Sequence, residues 1–227
     1  MPVCNPSTRT SAAADAIDPA SKIIKLAVGN AEPTILNVHQ KVLCRNSKFF
    51  RSSLKPEWTS MKDDPDTVDM CEDEVAVVKL YVSWLYTNRV LMEQALFCYT
   101  DEEEEDRIED IYIALVDAYT FGTKVLDVTF QNAIIETFIK TIDIVGWPLG
   151  PLSANLVFSK FPAGSPLCRL VADTMAYYVR DGSGGSTYWF EDFEGYDKEV
   201  LVAAMKAIME AQELSVWGER RSYVEKE

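Results

Sequence analysis

The hydrophobic repeat of this chain starts at two residues and settles at about three and a half from Glu74 onward, and that shift limits the folds open to it. In IIKLAVG, Ile24, Leu26 and Val28 alternate with Ile23, Lys25 and Ala27, the pattern of a strand with one buried face. Gly-Asn-Ala-Glu-Pro follows as a turn, and TILNV (34–38) reads as a second strand, so the two form a hairpin. TVDMC (67–71) reads as a third strand. From Glu74 onward every periodic segment is helical. Strands first and helices after argue for an α+β domain with an all-α extension, not a parallel α/β sheet.

Between the second and third strands, Val42, Leu43, Phe49 and Phe50 are spaced for two short helices broken at Arg45-Asn46. Ser47 is placed to cap the second, its hydroxyl accepting from a first-turn amide. KPEW is expected to end that helix, since proline lacks the donor and restricts its predecessor. MKDDPD is then a polar turn. Glu74 to Tyr86 predicts a buried helix with Val75, Val78, Val82, Leu85 and Tyr86 on one face and Tyr81 and Trp84 nearby; Asn88 is its C-cap. DEEEED (101–106) reads as a solvated loop or the acidic start of a helix. Ile108, Ile111, Tyr112, Leu115 and Tyr119 mark the next helix, with a break expected at Gly122. Phe130, Ile134, Phe138 and Ile142 mark another, and GWPLGP a boundary. A helix capped by Ser165 with Pro166 at its first position turns Leu167, Leu170, Val171, Thr174 and Tyr178 one way. A last helix, 197–212, is expected to point Leu201, Ala204, Met205, Ile208 and Met209 inward. This divides the chain into a leader expected to be disordered (1–20), a domain over 21–143 with an acidic loop near 98–107, and a helical extension with a polar tail (144–227).

Composition removes several functions. Asp and Glu outnumber Lys and Arg by 36 to 22, for a formal charge of −14. Phosphate backbones and anionic lipid both select basic surfaces, so neither nucleic acid nor membrane is an expected partner. No apolar run approaches the roughly 20 residues that span a bilayer, and the first residues lack a signal-peptide pattern. An intracellular protein, cytoplasmic or nuclear, is the expectation. The five cysteines stand far apart with no CxxC pair, which in a reducing compartment reads as small buried hydrophobes or free thiols.

One stretch invites a chemical reading. NVHQKVLCRNSKFF holds the only histidine, His39, five positions before Cys44. A Cys–His nucleophile needs the two within reach and an electropositive setting for the thiolate. Zinc needs about four ligands with short pair spacings, which one histidine and scattered cysteines do not supply. No phosphate-loop, dinucleotide or nucleophile-elbow string occurs. The expectation is no enzyme, no cofactor and no metal, with His39 packed where a strand passes into a helix and Val42, Leu43, Phe49 and Phe50 filling the core beside it. An enzyme using His39 and Cys44 remains the remote alternative.

Several strings in this order resemble the BTB/POZ family, in particular its fungal members. They are VGNAEPTILNVHQKVLCRNSKFFRSSL, with His39, Val42, Leu43, Ser47, Phe49 and Phe50 at the motif positions; KPEWTSMKDDPDTVDMCEDE; VVKLYVSWLYTNRV, with Trp84, Leu85, Tyr86 and Thr87 matching the family's helix end; LVDAYTFGTKVLDVTFQNAIIETFI; and PAGSPLCRLVADTMAYYV. Together they span about residues 21–180. The chain departs from the family in carrying Asn88 where glycine is usual and Cys168 where a basic residue is expected. It also lacks a clear counterpart of the aspartate that lines a charged interface pocket in animal members.

The resemblance implies a BTB/POZ fold, a small sheet flanked by a cluster of helices, and a protein–protein interaction role. Two forms stay open: an adaptor that docks a cullin-type ubiquitin ligase, and a self-association scaffold with no ligase role. For the first, the positions implied are Leu54, Glu57 and Trp58. The family's cullin motif is a hydrophobic residue, any residue, then glutamate; LKPE has one residue too many and a proline. The competing reading puts Leu54 and Trp58 in the core and Glu57 in solvent. The C-terminal helices either bind a substrate or only cover the domain, burying Ile134, Phe138 and Leu170.

Overall fold

A computed structural model of the chain describes residues 18–90, 104–181 and 193–210. The expected leader to residue 17, the first half of the acidic run (101–103), the rest of the DGSGGS loop after Asp181 and the polar tail lie outside the described residues. The chain divides into two compact units, one up to Val75 and one from Ala76. The architecture is α+β, with a small three-stranded sheet in the first unit and helices thereafter.

In the first unit, strand β1 (Ile23–Val28) lies between β2 (Thr34–His39), antiparallel, and β3 (Thr67–Met70), parallel. The register sets Ile24 beside Val38, Leu26 beside Leu36 and Val68, and Val28 beside Met70. All of these except the half-buried Leu36 are buried, so the two-residue alternation marked the inner face as expected. Gly29 ends β1 with φ at +91°, a conformation that disfavours any Cβ, and its amide donates to the Met70 carbonyl.

Helix α1 (Gln40–Leu43) follows β2 directly and buries Val42 and Leu43. Helix α2 (Lys48–Ser53) is capped as expected: the Ser47 hydroxyl accepts from the Phe50 amide at 3.1 Å. Arg51 reaches back to donate to the carbonyls of Cys44 and Arg45, satisfying the end of α1. Phe50 is fully buried, while Phe49 is only half-buried and meets it edge to face at 5.1 Å. Helix α2 ends just before KPEW, as expected; the helix that follows within KPEW was not expected. The helix stops at Ser53, and Pro56 opens a separate one-turn helix, α3 (Pro56–Thr59). Proline is excluded from a helix interior but is favoured at the first position, where its missing N–H costs nothing.

The second unit opens with most of helix α4 (Val75–Thr87), which buries Val78, Tyr81, Trp84 and Leu85; Val75, Val82 and Tyr86 are half-buried, so the inner face is rotated from the expected one. Asn88 has φ at +53°, as its expected capping place requires. Helix α5 (Glu104–Lys124) runs through Gly122 without the expected break. A Cβ at Gly122 would lie 2.9 Å from Gln131 Cγ and 3.1 Å from Phe130 Cδ1, so this glycine admits helix α6 (Val128–Val145) at close range. The left-handed residue is Leu126 instead, at φ +53°. Next, Asp127 is fully buried, and its carboxylate links two elements. It accepts the Phe130 amide at 3.0 Å, capping α6, and the Tyr81 hydroxyl at 2.9 Å. Tyr81, Trp84, Phe121 and Phe130 form one aromatic cluster around it.

Helix α7 (Pro151–Lys160) was not expected. Its N-cap, Gly150, offers no side chain; the cap is Glu109 of α5, which accepts from the amides of Gly150 and Ser153 and from the Ser153 hydroxyl. The preceding loop is held by two phenols: Tyr112 donates to the Trp147 carbonyl and Tyr196 to the Leu149 carbonyl, each at 2.9 Å. Burial pushes the Tyr112 hydroxyl well above its ordinary pKa and keeps it a donor. Helix α8 (Pro166–Asp181) buries Leu167, Leu170, Val171, Thr174 and Tyr178 as expected, with Ser165 accepting the Cys168 amide.

Helix α9 (Lys198–Glu210) corrects the last expectation. Its buried residues are Val200, Ala204 and Ala207; Met205 and Met209 point out and Leu201 and Ile208 are half-buried. Ala207 packs with Ala172 and Ala176 of α8, with Ala203 and Ile208 alongside. An alanine-to-alanine contact lets two backbones approach closely, so the small residues took the inner face and the large ones were left outside.

Replacing Phe50 by alanine should cost about 3–5 kcal/mol of stability, as expected for a fully buried ring. Phe49→Ala should cost about 1–2 kcal/mol, in keeping with its partial burial. Denaturant melts of the two variants check the difference.

Candidate functional site

The three positions singled out for partner docking fall on two sides of one short bend. Leu54 is the residue closing α2, and it is buried. Glu57 and Trp58 lie in α3, where Lys55 is the N-cap and Glu57 stands in the first turn. A carboxylate there is favoured by the free amides of a helix start. Glu57 is exposed and Trp58 is 58% exposed, which overturns the reading of Trp58 as core. Leu54 does take the inward place. The bend therefore anchors an aliphatic side chain and presents an acid and an indole to solvent. Sequence reasoning missed Met61, 72% exposed just after the helix; inside the polar string MKDD it carried no periodic signal.

The backbone after α3 is fixed by charge. Asp64 accepts from the Thr67 hydroxyl at 2.8 Å, from the Asp66 amide at 3.1 Å, and from Lys25 at 3.2 Å. These bonds, that from Thr67 first, hold its carboxyl below the ordinary aspartate range. Lys22, the residue before β1, pairs with Asp66. Both acids are thus tied to the central strand, and the ends of the 54–66 bend are held at β1 and at α2. Exposed pairs of this kind add little stability each; their use here is to fix where the bend runs.

The histidine–cysteine stretch occupies the corner where β2 passes into α1. His39 is the last residue of β2, paired with Ile23, and occupies the N-cap position of α1 without capping it through its side chain. Cys44 closes α1 and is half-buried. Burial raises its thiol pKa, with Arg51 opposing, which is the reverse of what a nucleophile needs. Cys168 is buried between the Val157 and Phe161 carbonyls and its pKa is also raised by burial, whereas Cys71 is exposed. Among the described residues no group of three or more His, Cys, Asp or Glu side chains could hold a metal ion. Trp84 is buried in the aromatic cluster and Tyr86 half-buried beside it in sequence, so the WLYT string serves packing in the second unit.

No protein-family model matches the chain, and no curated protein matches it. No described helix is long and apolar enough to cross a membrane.

Among Cys44, Cys71 and Cys168, a thiol-alkylating reagent should label Cys71 first, Cys44 slowly, and Cys168 only after unfolding. A raised thiol pKa means less thiolate at neutral pH, so Cys44 labelling should stay slow there and accelerate only at alkaline pH. Site-resolved mass spectrometry over time and pH reads both.

Proposed function

We propose that this chain is a protein–protein interaction module of the BTB/POZ type, an adaptor that docks a cullin-type ubiquitin ligase through α3. The observation that carries the reading is the pair Glu57 and Trp58, adjacent and exposed on a one-turn helix that begins two residues after the buried Leu54. Tryptophan is the residue most enriched among interface hot spots, and an exposed indole next to an apolar Met61 offers area without a loss of internal packing. An acid at the patch edge supplies orientation through a basic partner group. The element order of two strands, short helices, a third strand and then helices is compatible with the fold that the resemblance implies. Burial raises the Cys44 thiol pKa, which speaks for the binding reading over an enzyme using His39 and Cys44.

The deciding experiment is co-purification of the full chain with a cullin. Wild type should recover it. Glu57→Lys and Trp58→Ala should each reduce recovery at least about tenfold, the loss expected of a hot-spot residue, while thermal melts stay unchanged because both positions are exposed. No cullin recovered with wild type would remove the adaptor reading.

A further inference from the structure

Helix α9 carries two apolar stripes, and only one of them is used. Val200, Ala204 and Ala207 pack inward against α8. Val202, Met205 and Met209 lie on nearly the opposite side and are 40%, 58% and 73% exposed. Their spacing, three then four residues, places them in one line along the helix, the seam by which one helix packs on another. A helix that only covers its own domain needs a single apolar face.

The charges beside the seam indicate what covers it. On one flank, Glu199 and Lys206 are both exposed and stand two turns apart. When two copies of such a helix meet antiparallel about a two-fold axis between Val202 and Met205, Glu199 of each comes opposite Lys206 of the other. The self-complementary pattern a two-fold contact requires is then met by one helix alone. A parallel pairing offers no such match, because the other flank carries Leu201 and Ile208, both half-buried within the unit. With a formal charge of −14 on each chain, association also needs a local arrangement that offsets general repulsion, which paired Glu and Lys supply.

We propose that the outer face of α9 is a self-association surface that joins two copies of this chain as an antiparallel helix pair. It is separate from α3 and does not rest on the adaptor reading: a dimer and a cullin contact can each be present without the other.

Sedimentation equilibrium of the full chain over a concentration series tests it. Wild type should show a monomer–dimer equilibrium. Met205→Lys combined with Met209→Lys should give a monomer throughout, with an unchanged circular-dichroism melt because both side chains are exposed. Glu199→Lys alone and Lys206→Glu alone should each weaken the dimer about tenfold, since two attractive pairs become repulsive. The two changes together should restore wild-type association. A wild type that stays monomeric at the highest concentration overturns the proposal, whether another segment or a different protein covers the face. So does a dimer that survives the methionine changes, and so does a charge swap that fails to restore association. Trp58→Ala should leave the mass unaltered in every case.

Discussion

The first unit depends on β1 being paired along both edges. Its antiparallel partner β2 leads into α1, and its parallel partner β3 receives the chain after α3, so everything between residues 39 and 67 is suspended from one strand. A slip of one residue would turn Ile24, Leu26 and Val28 outward and expose Lys25 to the interior. That penalty, summed over three buried aliphatic side chains, fixes the register. Lys22, just before this strand, and Lys25 on it then hold Asp66 and Asp64, so the register also fixes where the 54–66 bend runs.

Within that suspended segment Pro56 decides which side chains face out. It cannot continue α2, so the chain breaks after the buried Leu54 and begins a new turn at a different angle. Had α2 run on, Leu54, Glu57 and Trp58 would have shared one face at the helical spacing of three and four residues. The break separates Leu54 from Glu57 and Trp58, leaving the first inside and the other two in solvent. The proline of LKPE is thus the feature that exposes the indole. The second unit has its own fixed point in Asp127, whose carboxylate joins the start of α6 to Tyr81 of α4 within the aromatic cluster.

What was legible in the sequence was whatever is decided by near neighbours. The alternation in β1, the Ser47 and Ser165 caps, and the inward stripes of α5, α6 and α8 all rest on residues within a turn or two of each other. What was not legible was decided across the fold. Helix α7 lacks a local cap because Glu109, more than forty positions away, supplies it. Gly122 looks like a breaker until Phe130 and Gln131 are seen against it. The break itself falls at Leu126, a residue with no turn preference. In α9 the larger side chains suggested the inner face, but close approach to Ala172 and Ala176 favoured the alanines. At the candidate site the sidedness was not legible: Trp58 was as good a core residue as an exposed one until Pro56 was seen to start a new helix.

The central claim is that a partner protein meets the chain at α3. It is tested most directly by placing a photo-crosslinking amino acid at position 58 of the full chain and, as a control, at the exposed Leu152 of α7. The account predicts that illumination in the presence of a cullin joins it covalently to the chain from position 58 and not from position 152. Equal capture from both positions, or capture from neither, would contradict it.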